Sequence, residues 1–371
     1  MVADKEVLED VGAGKGHLST VQLIYEEQYG GNVILKVPGA ELSKNILSIS
    51  DERFQSLHNT EVDVYSILDK HNHPDKLISY PKIHYMEKMD IHSDPVVEGH
   101  IVMEYIPRVT HLFIDNNLKP EELVEPVRNI ARLHALHREL TEEEKKKIPT
   151  DFLEGWFSEL FTDKNVALFM RVWEGPMTDL MSSSKSKEAI GILKEVLSSG
   201  SFKELNEDCK TSGVQEVLCH GDFSSHNLLF EKIPNGSFEF RAMCDFQGAN
   251  LGNAAQDLTR LFVTAMSGQD RREHGERLLK VYYDELVRLT KGNASFNWEQ
   301  LTRSYTRFLP HHAAVVCVTT PGKFLRAMTE MEEGAKKEEV RTIGKRRKRS
   351  LNISVSKENA REIRGFDGRS Q

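Results

Sequence analysis

One run of residues, from His220 to Asp245, constrains this chain more than the rest of its sequence. A carboxylate, Asp222, is followed five positions later by an amide, Asn227, and a second carboxylate, Asp245, follows an intervening apolar stretch. Carboxylate and amide oxygens are ligands that Mg²⁺ prefers, and a further carboxylate can accept a proton from an attacking hydroxyl group. The order and spacing of these residues are typical of a phosphoryl-transfer site.

The segment between Asn227 and Asp245 predicts a β-hairpin. Two apolar runs, residues 228–230 and 238–243, flank the segment from Pro234 to Ser237, which is a strong turn signal. A hairpin would return Asp245 towards Asn227 and so bring the two candidate metal ligands together. A loop rich in polar turn formers would account for each residue alone, but it would not account for their combined order.

Gly12, Gly14 and Gly16 form a candidate phosphate-binding loop. Alternating glycines let a backbone approach phosphate closely and direct its N–H groups at the anion. The loop is not a Walker A motif, because Lys15 is not followed by Ser or Thr, and the strand-like run over residues 21–25 differs from the helix that follows a Rossmann turn. Alone, this run would be interpreted as an ordinary hairpin turn, and only the other motifs favour a role in nucleotide binding.

Lys36 lies inside an apolar, strand-like run over residues 33–37, and Glu61 lies on the apolar face of a helix predicted over roughly Asp51 to Lys70. An exposed edge strand would explain a lone lysine, and a carboxylate at the margin of the apolar stripe could extend to solvent. An ion pair between Lys36 and Glu61 would remove the cost of burying either charge, and the other motifs favour this interpretation. Lys36 would then also reach the phosphates of a nucleotide.

Other segments have a structural explanation beside a functional one. The apolar run from His100 to Tyr105 is a core strand, and as a hinge its end would offer the backbone groups of Glu104 and Ile106 to an adenine edge. Asp257 precedes a helical run, so it either caps that helix or supports residues 220–227, which we call the catalytic loop. We expect His220 to brace the loop. The candidate lining residues of an acceptor pocket are Trp156, Phe157, Phe161, Trp173 and His311.

Composition argues against several classes of protein. The net charge of −8 argues against nonspecific nucleic-acid binding, and the longest apolar run, over residues 313–318, is too short to span a bilayer. The charged N-terminus does not resemble a signal peptide. The four scattered cysteines indicate neither a zinc site nor a disulfide framework, which favours a cytoplasmic protein.

The distribution of patterns along the chain predicts an α+β fold of two lobes. Strand-like runs dominate up to about residue 105, and helical patterns dominate from about residue 120. We predict a small β-rich N-lobe over residues 1–106 and a larger, mainly helical C-lobe over residues 107–335. Residues 336–371 are highly charged and predict a disordered tail.

Together these motifs resemble the aminoglycoside-phosphotransferase/choline-kinase superfamily, and within it the CHK kinase-like group that includes ecdysteroid-kinase-like proteins. The matching segments occur in the right order between about residues 5 and 330. They are residues 12–16, Lys36, 58–61 with Tyr65, 103–106, 130–135, 220–227 and 245–258. The resemblance implies a two-lobed protein-kinase-like fold, ATP and Mg²⁺ as cofactors, and a small-molecule alcohol as the phosphate acceptor.

The resemblance also assigns roles to particular residues. Asp222 would be the catalytic base, and Asn227 and Asp245 would bind Mg²⁺. Lys36 would hold the α- and β-phosphates of ATP, and Glu61 would orient Lys36.

Differences from related families narrow the class of substrate that we expect. Protein kinases have arginine where Gly221 stands, lack Gln247 after the metal-binding aspartate, and carry an Ala-Pro-Glu segment that is absent here. These differences point away from protein substrates. Choline kinases usually have asparagine where Gly221 stands, which weakens the alternative of a choline or ethanolamine kinase. The other alternative is a catalytically silent ATP-binding scaffold, against which the intact set of site residues argues.

Overall fold

The computed structural model describes most of the chain between residues 14 and 330. The described residues are 14–15, 19–38, 50–72, 77–112, 116–152, 155, 157, 161–174, 188, 191–193, 195–197 and 201–330. Gly12, Gly16, Trp156 and the predicted tail over residues 336–371 lie outside this set, so the predictions made for them stay predictions.

An antiparallel five-stranded sheet forms the first part of the described chain, in the order β1-β2-β3-β5-β4. Its strands are β1 (Gly14–Lys15), β2 (Ser19–Glu26), β3 (Gly31–Pro38), β4 (Ile83–Glu87) and β5 (His100–Glu104). In this register Lys36 on the central strand β3 pairs with Val21 on β2 and with Ile101 on β5. Lys36 therefore lies in the middle of the sheet, not on an exposed edge.

Helix α1 (Asp51–His71) packs against this sheet and confirms the helix predicted there. The hydroxyl of Ser50 caps its first turn by accepting a hydrogen bond from the Arg53 amide. Acidic residues in the first turn and basic residues in the last turn complement the helix dipole. Its buried face includes Phe54, Leu57, Glu61, Val64, Tyr65 and Leu68.

Helices dominate the described chain after residue 120. They are α2 (Val124–Leu136), α3 (Glu142–Lys145), α4 (Asp163–Glu174), α5 (Ser201–Asn206), α6 (Asp208–Ser212), α7 (Ala255–Ala265), α8 (Gly268–Leu289) and α9 (Trp298–Glu330). None of the helices in the described part of the chain has the length and apolar character needed to cross a membrane. A sheet-rich first part followed by a helical second part confirms the predicted α+β class.

Two small antiparallel sheets support the segment that carries the site residues. One contains β6 (Val109–His111), β8 (Leu228–Lys232) and β9 (Phe238–Met243), and the other pairs β7 (Val217–Cys219) with β10 (Asn250–Gly252). The β8–β9 pair is the predicted hairpin. One buried apolar cluster joins α1 and β5 to α2, β7, α7 and α8, so the sheet-rich and helical parts share a core.

Candidate active site

Lys36 is held between two carboxylates from different parts of the fold. Its Nζ atom lies 2.6 Å from Glu61 Oε2 and 2.8 Å from Asp245 Oδ1. The predicted Lys36–Glu61 ion pair is therefore present, and Asp245 is a second partner. The side chains of Lys36 and Glu61 are buried, whereas that of Asp245 is 28% exposed. Asp245 is thus the member of the cluster that solvent, or a ligand, can reach.

Burial and charge act against each other in this cluster. Burial alone would lower the pKa of Lys36, but the charges of Asp245 and Glu61 outweigh burial and raise the pKa above its ordinary value. Burial raises the pKa of Glu61 to about 7, and Lys36 opposes that rise. One cation is shared by two carboxylates, so the cluster carries an excess of negative charge when both are ionised. A further cation beside Asp245 would balance that charge.

The β8–β9 hairpin brings Asp245 next to Asn227. Leu228 pairs with Met243 across the hairpin, and the Cys244 amide donates to the Asn227 carbonyl at 3.0 Å. Asp245 itself has a φ of 70°, a left-handed conformation that is uncommon for a residue with a side chain. The ring of the next residue, Phe246, is fully buried, so the carboxylate is fixed from the hairpin on one side and from the core on the other.

Asp222 is held at both carboxylate oxygens. Asn227 donates from Nδ2 to Asp222 Oδ2 at 3.2 Å and to the Asp222 carbonyl at 2.9 Å. Arg260, on α7, donates from Nε to Asp222 Oδ1 at 2.8 Å. Burial would raise the pKa of Asp222, but Arg260 outweighs it and lowers the pKa to about 2. The carboxylate is 43% exposed, so solvent screens this ion pair in part.

Asp257 fixes the start of the catalytic loop. Its carboxylate accepts hydrogen bonds from the backbone amides of His220, at 2.7 Å, and Gly221, at 2.9 Å. His134 Nε2 lies 3.1 Å from the same carboxylate, and His134 Nδ1 lies 2.7 Å from the Tyr282 hydroxyl. Of the two interpretations of Asp257, the structure therefore shows contacts that support the loop, and helix α7 begins after Ala254 with no side-chain cap.

His220 and Gly221 complete this support. His220 is fully buried, and its Nε2 lies 3.0 Å from the Cys244 carbonyl, which agrees with the predicted bracing role. Gly221 has a φ of 82°, and a Cβ atom at this position would lie 1.7 Å from the Gly248 carbonyl oxygen. Only glycine fits this close approach of two backbone segments.

Asn227 and Asp245 have the donor atoms for a divalent cation. The Asn227 amide nitrogen is used by Asp222, and its side-chain oxygen accepts no hydrogen bond from the described residues. Among the described residues, Asp245 Oδ2 accepts one long hydrogen bond, from Gln247 Nε2 at 3.3 Å. Two oxygens from adjacent side chains in a cluster with excess negative charge match the hard, oxygen-rich coordination that Mg²⁺ requires.

Three residues predicted to bind a nucleotide, Gly14, Glu104 and Ile106, have contacts within the protein that the structure describes. Gly14 lies in β1 and pairs with Val21, so it is part of a strand at the edge of the sheet. The Glu104 amide donates to the Lys82 carbonyl at 2.8 Å, which leaves this N–H unavailable to a ligand. Ile106 packs beside a small apolar cluster that includes Leu229 and Ala242. The roles of Gly14, Glu104 and Ile106 in binding stay predictions.

The structure also extends the set of candidate residues. Phe157 and Phe161 pack into a buried apolar cluster, which gives them a core role, and their place in an acceptor pocket stays a prediction. Arg260 was missed by the sequence analysis. The available signal was its position three residues after Asp257 on a helix, which places both side chains on the face towards the catalytic loop.

Comparison with known proteins gives one family and several distant relatives. Residues 36–351 match the family model DUF1679, whose description is "Uncharacterized oxidoreductase dhs-27". The uncharacterized oxidoreductase dhs-27 of Caenorhabditis elegans is 21% identical over 71% of this chain and 32% of its own length. An uncharacterized kinase-like protein of the same organism is 30% identical over 25% of this chain and 24% of its own length. The chain thus spans about a third or less of these curated relatives.

Among solved structures, a choline kinase from Cryptosporidium parvum is similar at 15% identity, with a TM-score of 0.48, over 95% of this chain and 88% of that protein. An aminoglycoside 2'-phosphotransferase-IIIa mutant in complex with GDP is similar at 12% identity, with a TM-score of 0.46, over 92% of each chain.

Proposed function

The chain belongs to the DUF1679 family, which lies in the aminoglycoside-phosphotransferase/choline-kinase superfamily, and we propose that it is an ATP- and Mg²⁺-dependent phosphotransferase acting on the hydroxyl group of a small molecule. The observation that carries the proposal is the convergence of two sets of side chains. Lys36, fixed by Glu61, meets Asp245, while Asn227 beside Asp245 orients Asp222.

Each of these side chains has a distinct task in phosphoryl transfer. Lys36 would bind the phosphates of ATP, and Asn227 and Asp245 would hold Mg²⁺, which neutralises phosphate charge when bound. Asp222 would accept the proton of the attacking hydroxyl, a contribution of about 10²–10⁴-fold to the rate. Because Asp222 is held at both oxygens, its carboxylate is oriented before any substrate arrives.

The name of the oxidoreductase relative does not conflict with this proposal. The alignment covers only 32% of that protein. Most of the protein that carries the name therefore lies outside the matched segment. The sheets in the described part of this chain are antiparallel. A Rossmann dinucleotide site is built on parallel strands with a glycine turn that enters a helix. The geometry therefore favours phosphoryl transfer over hydride transfer for this segment.

Calorimetric titration with ATP, with and without Mg²⁺, tests the nucleotide and metal sites. We expect binding that requires Mg²⁺ and that weakens about tenfold or more in Asp245→Asn, because a metal ligand loses its charge. Asp284→Asn, at an exposed position on α8, is the matched control and should bind as the wild type does. Absence of ATP binding by the folded wild type would refute the proposal.

Transfer itself is tested by incubation with ATP and a pool of small hydroxyl compounds, followed by mass spectrometry of the products. A gain of one phosphate on a pool member, absent in Asp222→Asn, is the expected result. Nucleotide binding with no transfer and no ADP release across a broad pool would favour the silent scaffold.

A further inference from the structure

Helix α7 places a cation directly against the proposed base. Asp257, in the first turn of α7, is tied to the backbone of the catalytic loop, and Arg260 follows one turn later on the same face. The Arg260 Nε atom donates to Asp222 Oδ1 at 2.8 Å, on the carboxylate oxygen that Asn227 does not contact. Arg260 is therefore positioned by its helix and by the carboxylate of Asp222.

Most of the donors of Arg260 are unused. A guanidinium group carries five N–H donors, and the Nε–H alone is committed to Asp222. Neither Nη1 nor Nη2 hydrogen-bonds to a described residue, and neither is among the buried polar atoms that lack a partner, so both are open to solvent or a ligand. The Arg260 side chain as a whole is 20% exposed. The guanidinium thus presents a planar, charged edge to the space beside the base, the geometry that binds phosphate oxygens in pairs.

The phosphoryl group in the proposed reaction must pass through that space. The acceptor oxygen lies within hydrogen-bond distance of its base, and the phosphorus lies about 3–3.5 Å from that oxygen. The transferred group is therefore within reach of a side chain bonded to Asp222. The transition state spreads charge over three phosphoryl oxygens, which a positioned cation stabilises.

The catalytic loop has no side chain with a permanent positive charge for this purpose. The residues between Asp222 and Asn227 include neither lysine nor arginine. Lys36 is the other cation that contacts a carboxylate of the site within the described part of the chain, and Glu61 and Asp245 already share its charge. Among the described residues, Arg260 is the permanently charged side chain that contacts Asp222 and has donors left for the transferred group.

We propose that Arg260 is a catalytic residue that binds the terminal phosphate of the nucleotide through Nη1 and Nη2 while its Nε holds Asp222. The inference rests on the proposed phosphotransferase function and assigns to this helix the stabilising charge that the catalytic loop lacks.

The test compares two nucleotides that differ in the terminal phosphate. Binding of ADP and of the β,γ-imido analogue of ATP, each with Mg²⁺, is measured by calorimetry for the wild type, Arg260→Gln, Arg260→Lys and Arg277→Gln. We expect Arg260→Gln to lose about tenfold or more in affinity for the triphosphate and to keep its affinity for ADP. Arg260→Lys should regain part of the loss. Arg277→Gln, exposed on α8, should match the wild type.

Three outcomes would overturn the inference. Unchanged affinity for both nucleotides in Arg260→Gln would show that Arg260 does not contact the terminal phosphate. An equal loss for both nucleotides would show that Arg260 acts only through the fold. If Arg260→Gln does not fold, an unchanged ratio in Arg260→Lys decides against the proposal. A wild type that binds neither nucleotide would refute the proposed function itself, whereas the first two outcomes would leave it standing.

Discussion

At the scale of single residues, substitution of Asp222 should distinguish nucleotide binding from phosphate transfer. Its carboxylate contacts Asn227 and Arg260 but neither Lys36 nor the Asp245 carboxylate. Asp222→Asn should therefore abolish phosphate transfer and leave Mg²⁺-dependent ATP affinity within about threefold of the wild type, because the proton acceptor is lost and the proposed metal ligands are kept. Parallel calorimetry and ADP-release assays measure both. Lost ATP binding in a folded variant would contradict this division of tasks.

Glu61 tests how much of the fold depends on the buried ion pair. Removing one partner of a buried pair typically costs 3–5 kcal/mol, and Asp245 still pairs with Lys36 in Glu61→Ala. We therefore expect the free energy of unfolding to fall by about 3 kcal/mol, at the lower end of that range.

Urea denaturation measures the effect of Glu61→Ala. The control is Asp284→Ala, which removes the exposed partner of Lys280 and should leave the unfolding midpoint unchanged. An unchanged midpoint for Glu61→Ala as well would argue that the carboxylate does not stabilise the buried lysine.

At the scale of secondary-structure elements, the sequence predicted those elements that local patterns of apolar and turn residues define. Helix α1 was predictable because its apolar face repeats over five turns, and the β8–β9 hairpin was predictable from two apolar runs around a turn. Strands β4, β6 and β10 were not predicted, because each is three to five residues long and is defined by a partner distant in sequence.

The candidate site likewise contains residues that the sequence predicted and one, Arg260, that it did not. The order of Asp222, Asn227 and Asp245 is a local pattern, so the sequence specified it. Lys36 and Glu61 could be paired because each charge needed a partner in an apolar setting. The spacing of Asp257 and Arg260 places both on one helix face, but the contact of Arg260 with Asp222 depends on how α7 packs against the loop, which local spacing does not specify.

The catalytic loop depends on one glycine, and the chain contains a matched control. Gly221 and Gly236 have the same φ of 82°, but a Cβ atom at Gly221 would lie 1.7 Å from the Gly248 oxygen, whereas the space around Gly236 is open. Gly236→Ala should cost about 1–2 kcal/mol through its backbone conformation alone. Gly221→Ala carries that cost and a backbone clash, so we expect a clearly larger loss of stability together with loss of transfer activity.

Thermal unfolding of both glycine variants provides the measurement. The melting temperature of Gly221→Ala should fall well below that of Gly236→Ala. Equal melting temperatures for the two variants would mean that the loop can move away from Gly248, and that Gly221 is needed only for its positive φ.

At the scale of the whole molecule, ionic contacts tie the sheet-rich part to the helical part at two places. Lys36 and Glu61 meet Asp245 at the candidate site, and Lys70 and His71 at the end of α1 contact Glu144 on α3 at 2.6 and 3.0 Å. Helix α1 is thus fixed at its middle and at its end. Because Glu61 lies on the same helix, the orientation of Lys36 depends on both connections.

Buried histidines make the stability of the whole molecule depend on pH. Burial lowers the pKa of His312 to about 3, and that of His58, His137 and His311 to about 4. An unfolded histidine titrates near pH 6.5, so below this pH the unfolded chain binds protons that the folded chain does not. The stability contributed by these neutral side chains is complete above about pH 6.5 and is lost as the pH falls towards the folded pKa values.

Glu61 acts in the opposite direction, because burial raises its pKa above the ordinary value of a glutamate. The contribution of His312 can be isolated by comparing the wild type with His312→Gln in urea at pH 7.5 and pH 5.5. The wild type should lose about 1.4 kcal/mol more stability than the variant over this interval, since each pH unit below 6.5 adds that amount for one such group. His92→Gln, at an exposed position, should lose as much as the wild type does. A wild type and a His312→Gln variant with equal losses would mean that His312 takes up a proton in the folded protein as readily as in the unfolded chain.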